Sequence, residues 1–229
     1  MGIWLAAAGS AAAGAWLRED GAAMLAFSHE VMEGGGGHYT AVYGEYGLSE
    51  RLTIGIDAGI GAAPDDWKAV AFARMGREFD WLPGRVAAEI GLGAAGSSKA
   101  SVAAIVQPGL SWGHSFETGA GWAWVNLDAK GVFHLTPSSE EAPATTAGLP
   151  MALDEGCKID LTLGLNLSPR SQLSLEMRFE DPAEGARSLR LVPGIARRLG
   201  TRGWVTLGGI VDLRNDGALG LVLGSRIDF

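Results

Sequence analysis

Downstream of its first residues the sequence has no apolar run approaching the roughly 20 residues that a membrane-crossing helix needs. Either the chain is soluble, or its apolar residues are dispersed over alternating strands, which give a much weaker signal per segment. Charge is also scarce, at 19% of 229 residues, and what there is sums to −8. That balance, with no Lys/Arg run, argues against a nucleic-acid partner. Cys157 is the single cysteine, which excludes an intramolecular disulfide and a cysteine-based metal cluster. A lone thiol suits an exported protein that avoids disulfides.

What the sequence does have is glycine, 35 residues of it, and 8 tryptophans. Much of the glycine falls on one face of alternating segments. From Leu52 to Ile60 the even positions are Leu, Ile, Ile, Ala and Ile, against Thr53, Gly55, Asp57 and Gly59. Ile159, Leu161, Leu163, Leu165 and Leu167 alternate with Lys158, Asp160, Thr162, Gly164 and Asn166. Leu173 to Phe179 and Val86 to Leu92 repeat the pattern. A period of two marks strands with two unlike faces. The polar face of a soluble sandwich favours Thr, Lys and Glu, and glycine weakens strands there. Glycine mixed with opposite charges suits the inside of a small barrel.

Connections fall into two length classes. Gly47–Glu50, Trp81–Gly84, Ser168–Ser171 and Gly200–Gly203 read as tight turns, with His114–Glu117 as a fifth. Longer links include four glycines at 34–37 and a Ser-, Pro-, Ala- and Glu-rich stretch from Thr136 to Gly156. The pattern predicts strands at 22–32, 37–47, 51–61, 67–79, 85–95, 101–113, 118–133, 156–167, 171–180, 187–199, 203–214 and 217–229. The expected fold is therefore all-β, a transmembrane antiparallel up-and-down barrel of about twelve strands, with ten as the alternative. Segment 67–79 has no clear outer face, because Val70 and Phe72 share parity with Lys68 and Arg74. Tyr46, Trp67, Phe79, Trp81, Trp112, Phe116, Trp204 and Phe229 lie near strand ends, as an interfacial aromatic girdle would.

At the C-terminus Leu219, Leu221, Leu223, Ile227 and the final Phe229 share one parity, while Gly220, Gly224, Arg226 and Asp228 share the other. This ending resembles the closing strand of the Gram-negative outer-membrane β-barrel superfamily, of a small porin-like or transporter type. The resemblance spans nearly the whole chain, and Glu45 to Leu52 looks like a strand-turn-strand of that kind. It implies a single barrel domain at 14–229 in the outer membrane. It also implies surrounding lipid and recognition by the barrel-assembly machinery, with Phe229 as the assembly signal. Residues 1–13 look like the end of a secretory signal peptide, with Ala11 and Ala13 fitting an A-x-A cleavage site and a mature start near Gly14.

If the apolar parity faces lipid, fourteen charged residues point inward as candidates for a lumen lining. They are Glu45, Asp57, Glu89, Asp128, Lys130, Lys158, Asp160, Glu176, Arg178, Arg190, Asp212, Arg214, Arg226 and Asp228. Either they pair to fill a blocked barrel, or they line a narrow pore for a small solute. No cofactor, metal or catalytic residue is expected. His29 and His38 flank the glycine loop without metal-ligand spacing. His134 with Ser138 or Ser139 only loosely resembles the pair of outer-membrane lipid hydrolases. The expected function is thus a passive channel or transporter, with a structural or surface-interaction barrel as the alternative and a lipid-modifying hydrolase more distant.

Overall fold

A computed structural model describes residues 14–35, 37–61, 66–97, 100–137, 151–182, 185–214 and 216–229. They form twelve strands, each paired antiparallel to the next, and β1 closes on β12. The strands are β1 (Ala23–Met32), β2 (His38–Ser49), β3 (Leu52–Ile60), β4 (Trp67–Phe79), β5 (Leu82–Ser97) and β6 (Ala100–Thr118). Then follow β7 (Gly121–Pro137), β8 (Met151–Ser168), β9 (Ser171–Asp181), β10 (Ser188–Leu199), β11 (Gly203–Asp212) and β12 (Leu219–Asp228). Closure removes both sheet edges, so every strand finds backbone partners on two sides. No helix among the described residues is long and apolar enough to cross a membrane.

Side-chain alternation sets which face looks out. Ile54, Ile56, Ile60, Leu163, Leu173, Leu175, Leu221 and Leu223 are exposed on the outer wall, while their neighbours in the chain turn inward. Tight turns at 50–51, 80–81, 119–120, 169–170 and 200–202 gather at one end, together with the start of β1 and the end of β12. The strand ends at Ile60, Trp67, Pro137, Met151, Asp181 and Ser188 lie at the other.

Several expectations need correction. The fifth tight turn is Gly119–Ala120, because Trp112, His114 and Phe116 stack in sequence along an unbroken β6. Residue 81 ends a turn begun at Asp80, so β5 starts at Leu82. β5 to β8 outrun their expected lengths, with Pro137 pairing Met151 at the top of the tallest hairpin. Two interior prolines do not stop strands; Pro108 pairs with Ile90 on one side and Pro193 with Leu175, while the ladders on their other sides skip them. A residue without an N–H is tolerated where one ladder bond can be left out. Trp204 does not join the girdle; it is buried inside, against Arg198 and Arg226.

Candidate functional site: the barrel lumen

The interior wall of β4 explains its ambiguous sequence. Lys68, Val70, Phe72 and Arg74 all face inward, and Val70, Phe72 and Arg74 are buried there. The small Ala69, Ala71 and Ala73 and the exposed Met75 occupy the outer face. Arg74, with 1% relative exposure, donates from Nη1 to Glu45 Oε1 at 2.6 Å and from Nε to Glu89 Oε2 at 2.9 Å. The Tyr43 hydroxyl donates to Glu45 and accepts from Arg74 Nη2, and the Tyr43 ring stacks on Phe72. Lys130 Nζ reaches the other Glu89 oxygen at 2.8 Å, and Arg18 Nε reaches Glu45 Oε2 at 2.6 Å. Charges removed from water this far must be paired and hydrogen-bonded, and here each carboxylate holds two cations.

A second ion pair crosses the lumen. Arg178 on β9 donates to Glu30 on β1 at 2.6 Å, although β10, β11 and β12 separate those strands around the wall. The same guanidinium is steadied by Glu176 at 2.9 Å from its Nε. On those intervening strands Val192, Ile210 and Val222 form a buried apolar cluster with Met32. Towards the loop end, Lys68 pairs with Asp57, Lys158 with Glu180, and Arg190 with Asp212.

Residues ahead of β1 also occupy the lumen. The chain turns inward beside Gly47, whose N–H donates to Ala22 O while Gly21 N–H donates to Gly47 O. It then passes along the inner wall from β2 to β7. Arg18 N–H donates to Thr53, Leu17 lies over Gly76, Trp16 meets the Trp124 ring edge-on at 6.1 Å, and Ala15 N–H donates to Asn126. Gly113 makes this bed possible, because a Cβ there would stand 2.6 Å from the Trp16 ring and 2.9 Å from Ala15.

Among the described residues two cavities of about 690 and 370 Å³ open within the lumen. The larger opens towards the loop end among Tyr39, Lys68, Lys158, Glu180 and Arg190. The smaller follows the β9–β1 wall, opposite the inserted segment, among small residues such as Ala26, Ser28, Gly194, Thr206 and Gly224. Glu30, Asp57, Lys130, Asp160 and Arg178 line both, so the cavities meet at the level of the crossing ion pair.

Of the fourteen charges expected to point inward, Glu45, Glu89, Asp212 and Arg226 are buried. Asp57, Asp128, Lys130, Lys158, Asp160, Glu176, Arg178 and Arg190 are half-buried on the same inner face and line one or both cavities. Asp228 sits inward at the turn end, 3.2 Å from Arg226. Arg214 is corrected: β11 ends at Asp212, and Arg214 lies exposed in the following turn, its N–H donating to the Asp212 carboxylate. Sequence reasoning missed Arg18, Glu30, Lys68, Arg74 and Glu180. Glu180 shared parity with inward Arg178, and that signal could have found it. Nothing local marked Arg18 as a lumen residue.

His29 accepts or donates at Thr40 Oγ1, 2.8 Å away, and lies 6.0 Å from the His38 ring. Among the described residues no group of three metal-ligating side chains occurs. Ser138 and Ser139 lie outside the described residues, as do residues 1–13 with the expected cleavage motif. Phe229 ends the closing strand, its N–H donating to Ala23 O at 2.9 Å while its ring stays exposed.

A closed antiparallel barrel with an apolar outer wall and a polar interior is a layout shared by open outer-membrane channels and by plugged barrels. Among solved structures, the chain is similar to the COG4313 outer membrane channel from Pseudomonas putida F1, with a TM-score of 0.62 at 11% identity over 94% of this chain and 97% of that one. It is also similar to the KdgM porin, with a TM-score of 0.60 at 10% identity, covering 90% and 99% respectively. The KdgM porin has also been solved in complex with disordered oligogalacturonate. No family model matches the sequence, and no curated protein does.

Proposed function

We propose that this chain is a narrow passive channel for small polar solutes in the outer membrane of a Gram-negative bacterium. The observation that carries it is the pair of adjoining cavities running past the inserted segment, joined between Glu30 and Arg178. The fold likeness to two channels supports the setting, and the exposed leucine and isoleucine wall supports lipid contact. We read the charged wall as a lining that hydrates solutes without selecting strongly for one sign. Lys68, Lys130, Lys158, Arg178 and Arg190 each stand against a carboxylate, leaving the lining compensated rather than cationic. A polyanion such as the oligogalacturonate bound by the KdgM porin would need to break those pairs, so neutral or zwitterionic solutes fit better. His134 takes no catalytic part in this scheme.

The test is planar-bilayer recording with purified protein. Discrete conductance steps, with a reversal potential near zero in a salt gradient, are expected. Swelling of proteoliposomes in a neutral monosaccharide should accompany them. Electrical silence would assign the lumen pairs a purely structural role. Lipid hydrolysis abolished by His134→Ala would replace the channel with an enzyme.

A further inference from the structure

We infer that the outer wall at the turn end carries a binding site for one anionic glycerophospholipid, with Arg77 as the residue that takes its phosphate. The inference rests on the outer-membrane setting and not on whether the lumen conducts.

Among the described strand residues two cations follow the outward parity, Arg77 on β4 and Arg197 on β10. Both are exposed, and each comes two positions after an outward residue of the apolar wall, Met75 or Ile195. Each also stands two residues before the turn end of its strand. A cation facing lipid costs most at mid-bilayer and little near the interface, so this is the height at which an outward arginine is tolerated. Arg77 forms no ion pair among the described residues, and the neighbouring Glu78 is held by Arg85. Its counterion is then supplied by the membrane. Short turns of a bacterial barrel lie on the periplasmic side, so the anions at this height are phosphates of inner-leaflet phospholipid.

The wall around Arg77 is built to hold one of them. Its guanidinium lies 4.4 Å over the Phe79 ring, which orients the fork before any ligand arrives. Arg77, Val86 and Trp112 form one row across β4, β5 and β6. The Trp112 ring is fixed by its own N–H, which donates to Pro83 O, and His114 stacks between Trp112 and Phe116. Between Phe79 and His114 the β5 strand places Gly84, with φ at +92°, so no side chain stands between them. A Cβ there would lie 2.1 Å from Gly113 O. Arg197 has no such cradle; its cross-strand neighbours are Ser171 and Val205. A long side chain left free loses rotamer freedom on binding, so Arg197 holds no single lipid in place. Aromatic rings alone accept any headgroup. The unpaired guanidinium selects charge, because phosphatidylethanolamine carries its own ammonium beside the phosphate and phosphatidylglycerol does not.

The test is native mass spectrometry of the full chain in detergent, titrated with phosphatidylglycerol or phosphatidylethanolamine. The wild type should hold its first phosphatidylglycerol about tenfold more tightly than phosphatidylethanolamine. Arg77→Gln should abolish that preference, and Arg197→Gln should keep it. Equal retention of the two lipids by the wild type would overturn the site, and that comparison needs no variant to fold. A preference that survives Arg77→Gln would overturn it as well. So would equal losses in the two variants, since the lipid would then be answering to net charge and not to this cradle.

Discussion

At the residue scale the interior is governed by compensation. Arg74 is the hub, since its guanidinium serves Glu45, Glu89 and Tyr43 at once and lies 4.9 Å over the Phe72 ring. Removing it would strand two buried carboxylates. Arg74→Ala should therefore lower stability by about 3–5 kcal/mol, read from urea unfolding of the refolded protein in detergent. Glu45→Gln should cost less, because Arg74 retains Glu89 while Arg18 lies nearer solvent. An Arg74→Ala barrel as stable as the parent would show that these charges do not hold the wall together.

At the element scale the alternation of each strand separates two solvents. Leu163 is exposed outward, and its neighbour Thr162 lines the smaller cavity. Arg at a mid-bilayer outer position should cost about 2–4 kcal/mol. Leu163→Arg should show that loss in folding titrations, and Thr162→Arg much less; equal losses would mean that the outer wall does not meet lipid. The closing strand carries a separate prediction. Phe229 bonds to Ala23 through its backbone, and its ring adds only exposed surface. Deleting it should reduce outer-membrane levels in cells far more than it changes stability after refolding in detergent. Unchanged membrane levels would remove it as an assembly signal. β4 shows how such reasoning can stall: Phe72 points inward because Tyr43 and Arg74 receive it there, while alanines suffice outside.

At the scale of the whole molecule, twelve strands enclose more space than their own side chains fill. The remainder is shared between the inserted segment on the β2–β7 side and open cavity on the other. Deleting residues 14–18 should accordingly raise single-channel conductance while leaving heat-resistant folding intact, as judged by bilayer recording and gel mobility. Unchanged conductance would mean that the segment does not restrict the passage.

Strand number, the direction of most side chains and the closing role of residues 217–229 were legible in the sequence. A period of two is a local property, and lipid on one side forces it to repeat in strand after strand. It could not show where β11 stops, since Arg214 continues the parity of Asp212 beyond the last paired residue. Nor could it place Trp204 inside, because a ring near a strand end suits an interface and a lumen equally well; Arg226 and Arg198 decide between them. The pairs that define the lumen, Arg178 with Glu30 and Arg18 with Glu45, join residues 148 and 27 positions apart. Those contacts exist only once β1 closes on β12 and the chain ahead of β1 folds inward. Closure brings distant residues within reach across a lumen, and no spacing along the chain encodes that distance.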